Sequence, residues 1–537
     1  MVSRLTGPFL VDRCFPPIVV FLVHVYVETL FFAQRTLTNT RVLMADTFQN
    51  YIDGGWHDAT TGSTFDVTNP AAPSDRIGTF PASGPADVDS AVQAAADAAD
   101  AWDDLPAPDR GKILRQAGDL LAERKADIAE AMTEEMGKPF FETKGDVQEA
   151  IDTAYYTASE TRRLFGHTVP SELPDKMNMS IRRPVGVCAV ITAWNFPVAV
   201  PSWKIFPALA AGNTVIFKPS EEAPRSGLQF VQTLIDAGVP DGVLNVVHGD
   251  GEAGSALVEH PQVDAVGFTG SYEVGTSIAE TCGRLNKRVS LEMGGKNPMI
   301  VLDDADLELA LEGVIWGAYG TTGQRCTATS RLICQEGIHD ELVAMIEDEA
   351  SDLVLGDGND DNTDVGPLIN QAALDKVEHY VDVGVEEGAT LEFGGEPADG
   401  AGEGFFYQPT LFTDVTPDMT IAQEEIFGPV LSVVEVSSYE EAVEVANNTK
   451  YGLSSSIYTE DVKHSFRAMT DLEAGITYVN GPTIGAEAHM PFGGVKGTGN
   501  GHRDGGWAAF EFFTEHKTVY VDFSGQLQKA QMDSVDE

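Results

Sequence analysis

The sequence predicts an α/β protein that contains two doubly wound units and a small β element. Short apolar runs at 184–193, 214–217, 244–249 and 265–270 alternate with amphipathic segments, which is typical of buried parallel strands joined by helices. The same alternation begins again after Asn297 and predicts a second unit. Near the C-terminus FEFFTEHKTVYVDF alternates like an exposed strand, and the strand-like MNMSIRRPVG is predicted to be its partner.

Amphipathic helices are predicted ahead of these strands. Apolar residues recur at helical spacing from Ala86 to about Met136, with Pro106 and Pro108 between the periodic segments. This pattern predicts two or three helices.

The charge and cysteine content exclude several classes of protein. The 537 residues include 83 Asp and Glu against 34 Lys and Arg, a net charge of −49. Such a field repels phosphate backbones and anionic lipids, so nucleic-acid and membrane partners are not expected. The even spread of acid resembles proteins from a salt-loaded cytoplasm, and we expect a halophilic protein. Five cysteines without a C-x-x-C pair argue against a disulfide framework and a zinc site and favour a cytoplasmic location; no metal is expected.

Residues 1–43 differ in composition from the rest of the chain. The run at 15–32, FPPIVVFLVHVYVETLFF, approaches the length that crosses a bilayer, but it contains two prolines, a histidine and a glutamate. From Met44 the chain becomes polar and acidic, as in the first strands of a soluble enzyme. We expect residues 1–43 to be a non-native upstream extension, with a cleaved or membrane-associated leader as the alternative.

Two residues are candidates for covalent chemistry. Cys326 lies in the Gly- and Thr-rich stretch GTTGQRCTATSR, where Arg325 and nearby backbone N–H groups could favour a thiolate. Glu292 lies in SLEMGGKNP, where an apolar strand meets two glycines, and could be a partly buried general base. Each also has an ordinary alternative, a buried structural thiol and a solvated or helix-capping carboxylate.

Seven ordered motifs resemble those of the aldehyde dehydrogenase superfamily, over about 51–523. In chain order they are ITAWNFP, FKPSE, GFTGSYEVG, LEMGGKNP, GQRCTATSR, EEIFGPV and PFGGVKGTG. The resemblance implies NAD(P)-dependent oxidation of a small aldehyde to an acid. Cys326 would form a thiohemiacetal and then a thioester, Asn195 would hold the oxyanion, and Glu292 would activate the hydrolytic water.

The resemblance also implies a set of cofactor contacts. They are Thr192, Trp194, Lys218, Glu221, Gly251, Gly270, Ser271, Gly275, Glu425 and Phe427. NAD is favoured over NADP because a carboxylate at Glu221 would repel a 2′-phosphate. The literal G-x-G-x-x-G at 249–254 is given a minor role, near the adenine.

For the substrate, the resemblance is strongest to the α-ketoglutarate semialdehyde dehydrogenases. Phe196, Trp203 and Phe492 are expected to line the aldehyde site, and Arg325, or else Arg331, to meet the far carboxylate. Betaine aldehyde, succinate semialdehyde and other small aldehydes remain alternatives. An alternative of another class is a cofactor-free cysteine hydrolase or acyltransferase.

The domain organisation is a further implication of the resemblance. The expected segments are an NAD(P)-binding domain at 44–167 and 188–293, a catalytic domain at 294–508, oligomerisation strands within 168–187 and 509–525, and a tail at 526–537. Such strands imply a homodimer or homotetramer.

Overall fold

The computed structural model describes residues 47–398, 400–529 and 531. The predictions for residues 1–43 lie outside this range, as does the end of the tail at 532–537. Across the residues that are described, no helix is both long enough and apolar enough to cross a membrane.

The elements follow one another as strands and helices along the whole described chain. The strands are β1 Asn50–Ile52, β2 Gly55–His57, β3 Thr64–Asn69, β4 Ala72–Pro81, β5 Thr168–Pro170, β6 Lys176–Pro184, β7 Val187–Ile191, β8 Thr214–Lys218, β9 Leu244–Val246, β10 Ala265–Thr269, β11 Arg288–Glu292, β12 Asn297–Val301, β13 Thr329–Gln335, β14 Thr390–Phe393, β15 Thr410–Thr413, β16 Val430–Val436, β17 Ser454–Tyr458, β18 Ile476–Val479 and β19 Thr514–Asp522. The α-helices are α1 Pro85–Asp104, α2 Ala107–Glu123, α3 Lys125–Met136, α4 Phe140–Glu160, α5 Ala199–Ala211, α6 Pro224–Asp236, α7 Gly251–Glu259, α8 Tyr272–Leu285, α9 Leu307–Tyr319, α10 His339–Ser351, α11 Gln371–Glu387, α12 Thr420–Gln423, α13 Tyr439–Asn447, α14 Val462–Asp471 and α15 Ala509–Phe513.

Proline and glycine set the boundaries of the first helices. Pro85 and Pro106 stand at the starts of α1 and α2, where the missing N–H costs no helical hydrogen bond. Gly137 ends α3 in the left-handed conformation, with φ of 82°. The helices α1 to α3 confirm the prediction of two or three helices from Ala86 to Met136.

The first large sheet has the strand order β11-β10-β7-β8-β9-β1-β2. Strands β7 to β11 pair in parallel, which confirms the strands predicted from the apolar runs, whereas β1 pairs antiparallel with β9 and β2. Four of the parallel strands end at Ile191, Lys218, Thr269 and Glu292. Because carboxyl ends of parallel strands share one sheet edge, these positions are brought together there, where α/β proteins bind ligands.

The second large sheet, β14-β15-β16-β13-β12-β17-β18, confirms the second α/β unit. Neighbouring residues of β12 contribute to different cores: Met299 packs in one buried cluster and Ile300 in another. Leu332 and Ile333 alternate in the same way on β13. Both faces of the sheet are therefore covered, which explains why these strands read as continuous apolar runs.

The C-terminal strand β19 pairs antiparallel with β6, as predicted. The register runs from Thr514 opposite Pro184 to Asp522 opposite Lys176, and β5 completes a three-stranded sheet. The prediction that FEFFTEHKTVYVDF is a strand throughout is wrong, because its first part is the helix α15. Phe512 and Phe513 are both buried, so the chain cannot alternate between a buried and an exposed face there.

Candidate active site

A cavity of about 840 Å³ lies at the carboxyl edge of the first sheet. Most of the predicted site residues line it: Thr192, Trp194, Asn195, Trp203, Lys218, Glu221, Gly251, Gly270, Ser271, Glu292, Cys326, Glu425, Phe427 and Phe492. Phe196, Gly275 and Arg325 are not part of this lining. The volume is in the range of sites that bind small molecules and cofactors.

The Cys326 thiol is held in its neutral form. Its pKa is raised to about 12, chiefly by burial and also by the carboxylates of Glu425 and Glu292, while hydrogen bonds from the backbone N–H groups of Thr327 and Cys326 oppose the rise. Arg325 does not supply the positive charge expected beside this thiol, because its guanidinium donates to Glu142 at 2.7 Å. The thiol therefore has to lose its proton as it reacts.

The loop before Cys326 has an unusual backbone that other segments hold in place. Thr321 and Thr322 both adopt positive φ, 53° and 58°, which is rare for β-branched residues. The Thr321 N–H donates to Glu142 at 2.9 Å, and the Thr322 hydroxyl donates to the Gly366 carbonyl at 2.9 Å. Strain of this kind persists only where the surroundings fix it, and here it precedes the nucleophile.

Contacts from the glutamate motif fix the other side of Cys326. The Asn297 amide donates to the carbonyls of Cys326 and Ala328, both at 2.9 Å. A Cβ at Gly295 would lie 2.6 Å from the Cys326 carbonyl oxygen, so only glycine allows this approach. Neither contact was predicted, although both residues lie inside the motif that pointed to Glu292.

Asn195 is positioned to donate a hydrogen bond into the cavity. Its side chain is buried, and one amide N–H donates to the Gln324 carbonyl at 3.0 Å. A primary amide has two N–H groups, so a second donor is left for a bound oxygen. This hydrogen bond fixes Asn195 to Gln324, two residues before Cys326 in the same loop.

Glu292 is a buried carboxyl group with one oxygen free to act. Oε1 has no hydrogen-bond partner among the described residues, and the Gly494 N–H donates to Oε2 at 3.3 Å. Burial and then Asp504 raise the pKa of Glu292 well above its usual value, while Lys204 opposes this. A Cβ at Gly493 would lie 2.1 Å from Oε1, so a glycine at this position of the PFGG motif leaves room for the carboxyl group.

The opposite end of the cavity offers groups that suit a dinucleotide. Ser271 caps α8, where its hydroxyl accepts from the Val274 N–H at 3.3 Å, and a helix N-terminus favours phosphate. The buried Lys218 ammonium lies 3.3 Å from the half-exposed Glu221 carboxylate. The buried Thr269 hydroxyl lines the cavity and has no partner among the described residues. These donors and acceptors fit the phosphates and hydroxyls of NAD(P).

Glu425 and Phe427 lie between this end and Cys326. The Gly295 N–H donates to Glu425 at 3.0 Å, and a Cβ at Gly294 would lie 2.0 Å from the other carboxylate oxygen. Phe427 has a positive φ of 62° and packs edge-on against Trp194 with ring centroids 5.6 Å apart. Within the described residues no side-chain or backbone donor is seen on that second oxygen, and a carboxylate oxygen facing the cavity suits a ribose hydroxyl.

The predicted substrate residues divide into two groups. Trp203 and Phe492 pack together with ring centroids 4.5 Å apart, in a cluster that Phe196 and Cys326 adjoin. Arg325 lies outside the cavity, beside Glu142 and the Phe196 ring. Arg331, the other candidate for the far carboxylate, is fully buried outside the cavity lining and donates to the carbonyls of Lys296, Val445 and Ala446, which is a structural role.

One face of α8 lines the cavity and was missed in the sequence. Val274, Ser277, Ile278 and Thr281 are spaced i, i+3, i+4 and i+7 and all reach the cavity wall. The periodicity was present in the sequence, but a helix face alone does not reveal whether it meets a core or a ligand. In the described part of the chain, no group of His, Cys, Asp and Glu is arranged to hold a metal.

Comparison with known proteins identifies the family. The aldehyde dehydrogenase family profile matches residues 56–519. An α-ketoglutarate semialdehyde dehydrogenase of Haloferax volcanii is 45% identical over 89% of this chain and 100% of its own length. An α-ketoglutaric semialdehyde dehydrogenase of Bacillus subtilis is 42% identical over 89% of this chain and 98% of its own.

A solved structure extends the match to three dimensions. The NAD-dependent aldehyde dehydrogenase from Sinorhizobium meliloti has a TM-score of 0.88 and 38% identity, covering 92% of this chain and 98% of that one. The chain therefore belongs to the aldehyde dehydrogenase family, whose members are NAD(P)-dependent oxidoreductases that act on the aldehyde group.

Proposed function

We propose that this enzyme oxidises α-ketoglutarate semialdehyde to the free acid, with Cys326 as nucleophile and NAD as the preferred cofactor. The observation that carries the chemistry is that Cys326, Asn195 and Glu292 line one cavity, where one Glu292 oxygen has no hydrogen-bond partner among the residues that the structure describes. The names of the two relatives at 45% and 42% identity support the substrate.

In the first half-reaction Cys326 bonds to the aldehyde carbon. The thiol proton passes to a solvent water as sulfur attacks, and the carbonyl oxygen gains negative charge in the resulting thiohemiacetal. The free Asn195 N–H and the Cys326 backbone N–H are fixed donors for that oxygen. NAD(P), when bound, supplies the hydride acceptor that converts the thiohemiacetal to a thioester.

In the second half-reaction Glu292 acts as the general base. It takes a proton from water, the water oxygen bonds to the thioester carbon, and the carbon–sulfur bond breaks to release acid and free thiol. A raised pKa makes the Glu292 carboxylate a stronger base than an exposed one. The buried Lys204–Asp504 ion pair lies close enough to influence that pKa.

The preference for NAD follows from Glu221. Its carboxylate is paired with Lys218 at 3.3 Å, which leaves the lysine without spare positive charge for a 2′-phosphate. The Lys218 pKa is itself lowered, chiefly by burial. A comparison of kcat/KM for NAD and NADP tests this, and a strong NADP preference contradicts it.

The three-stranded sheet supports a homo-oligomer. On one face of its strands lie Met177, Met179, Ile181, Val519 and Val521, and several of these apolar side chains are exposed in the single chain. An exposed apolar sheet face is covered when a second copy packs on it. We propose a dimer or tetramer built on this face, in the cytoplasm.

The first sheet would belong to the cofactor domain and the second to the catalytic domain.

A substrate panel tests the proposed function. α-Ketoglutarate semialdehyde, succinate semialdehyde, betaine aldehyde and butanal are compared at fixed NAD by the absorbance of the reduced cofactor. We expect the highest kcat/KM with α-ketoglutarate semialdehyde. A higher value with betaine aldehyde would overturn the proposed substrate, and no reduction with any aldehyde would overturn the activity.

A further inference from the structure

The helix α4 carries two buried carboxyl groups whose hydrogen bonds reach the catalytic segments. Glu142 and Asp146 are spaced i and i+4, so their side chains project from the same face of the helix. Neither side chain lines the cavity, and neither takes part in the two half-reactions. Their partners lie in the segments that contribute Cys326 and Asn195, which indicates a role in placing those residues.

Glu142 binds the loop before Cys326 at three points. One carboxyl oxygen accepts from the Thr321 N–H at 2.9 Å. The other accepts from the Thr321 hydroxyl and from the Arg325 guanidinium, the latter at 2.7 Å. The Arg325 Nε–H also donates to the Thr321 hydroxyl oxygen at 2.8 Å. One carboxyl group therefore holds both Thr321 and Arg325, the residue that directly precedes the nucleophile.

The conformation of Thr321 depends on these contacts. Thr321 has φ of 53° and ψ of 28°, the left-handed region, where the Cβ of an ordinary residue crowds the following carbonyl. In this conformation its N–H and its hydroxyl both donate to Glu142, so the contacts offset the strain. The Gln324 N–H donates to the Thr321 carbonyl at 3.0 Å, so the conformation of Thr321 also fixes the turn that leads to Cys326.

Asp146 attaches the same helix to the segment of Asn195. One of its oxygens accepts from the N–H of Ala199, the first residue of α5, at 2.7 Å. The other accepts from the buried Lys138 ammonium at 3.1 Å, and this ammonium lies 3.7 Å from the centroid of the Phe196 ring. The helix α4 is therefore a common support for the segments of the nucleophile and of the oxyanion donor.

We propose that Glu142 is a positioning residue that holds Thr321 in its left-handed conformation. This conformation aligns the Cys326 backbone N–H with the Asn195 amide, so that both donate to the oxygen of the thiohemiacetal. A misplacement of about 1 Å in such an arrangement lowers the rate about 10²-fold. The role rests on the proposed function, because it acts through the oxyanion donors assigned there.

A double-mutant cycle tests this role, because glycine adopts a positive φ without strain. The readout is the single-turnover rate of NADH formation from α-ketoglutarate semialdehyde, with enzyme in excess over aldehyde and NAD saturating. Glu142→Ala should lower this rate about 10²-fold. Thr321→Gly alone should change it by less than about threefold, since the N–H still donates to Glu142. The double variant should be at least about tenfold faster than Glu142→Ala, because the strain that Glu142 offset is gone.

Two controls separate the relief of strain from other effects. Glu142→Ala combined with Thr321→Ala removes the same hydroxyl but keeps a Cβ, so it should stay as slow as Glu142→Ala. Glu160→Ala removes another acid of α4, one that pairs with Arg163, and should behave as wild type. The Kd for NAD, measured by calorimetry, should keep its wild-type value in every variant, which shows that the cavity is folded.

Glu142→Gln repeats the cycle with a side chain of the same size, for the case that Glu142→Ala does not fold. Its amide nitrogen cannot accept from the Thr321 hydroxyl or from Arg325, so the rate should again fall and again recover with Thr321→Gly. A wild-type rate in the Glu142 variants, no recovery with Thr321→Gly, or equal recovery with Thr321→Ala overturns the positioning role while leaving the proposed function intact. A wild type that forms no NADH from the semialdehyde overturns the proposed function and this role with it.

Discussion

Burial disfavours the charged form of both catalytic groups, the Cys326 thiol and the Glu292 carboxyl group. The pKa of the Cys326 thiol is raised to about 12, and that of Glu292 is raised well above its usual value. Both groups therefore gain reactivity as pH rises, since the thiolate and the carboxylate are the active forms. Two adjacent buried negative charges, a Cys326 thiolate and a Glu292 carboxylate, repel each other, so proton transfers accompany each turnover.

Glu292→Gln should separate the two half-reactions. Hydride transfer does not need the base, so one equivalent of reduced cofactor per active site should form in a rapid burst. Hydrolysis should then slow by about 10²- to 10⁴-fold, the usual contribution of a general base. Stopped-flow absorbance measures both phases, and Cys326→Ala is the control that should give no burst. Steady turnover of Glu292→Gln at the wild-type rate would contradict the assignment of the base.

Gly294→Ala should weaken cofactor binding. The new Cβ would lie 2.0 Å from Glu425 Oε2, so the carboxylate proposed to hold the ribose has to move. Overpacking of this kind costs about 1–3 kcal/mol, which corresponds to about a 5- to 150-fold rise in KM for NAD. Gly283→Ala is the matched control, because a Cβ there meets no atom within 4 Å. Equal KM values for the two variants would remove Glu425 from the cofactor site.

At the scale of secondary structure, an element could be predicted from the sequence where its pattern of buried residues followed its own periodicity. The parallel strands β7 to β10 were predictable because both faces of the sheet are covered and their runs are continuously apolar. The helix α15 was not predictable in this way, because its phenylalanines are buried by contacts with the rest of the fold and do not follow a helical or strand period in the sequence. The candidates Cys326, Glu292 and Asn195 followed from motifs, whereas the contacts Glu425–Gly294 and Asn195–Gln324 join residues far apart in the sequence and need coordinates.

The sheet of β5, β6 and β19 gives a test of assembly. Met177→Asp places a carboxylate among the apolar side chains of this face, where a partner chain would bury it. We expect the oligomer to dissociate to a smaller species in light scattering after size exclusion. Ser180→Asp, on the opposite face of the same strand, is the control and should leave the mass unchanged. Dissociation of both variants, or of neither, would contradict the proposed interface.

At the scale of the whole molecule, the net charge of −49 makes the stability of the folded state depend on salt concentration. Like charges repel across a compact surface, and at about 0.1 M salt the Debye length of about 10 Å leaves neighbouring carboxylates coupled. The exposed ion pairs offset little of this repulsion, because surface ion pairs contribute little to stability. Subunit faces that carry the same sign repel each other as well.

We therefore predict that the Tm and the oligomer both increase with KCl. Near 1 M salt the Debye length shrinks to about 3 Å, which removes most of the repulsion within each chain and between chains. Thermal unfolding and light scattering across a KCl series, with activity measured in parallel, give the three readouts.

The same series in sucrose at equal osmolality is the control, because a neutral solute strengthens burial without screening charge. If sucrose raised the Tm as much as KCl, exclusion of solute from the surface would explain the effect. A Tm that fell between about 0.1 M and 1 M KCl would mean that the acidic surface does not serve salt tolerance.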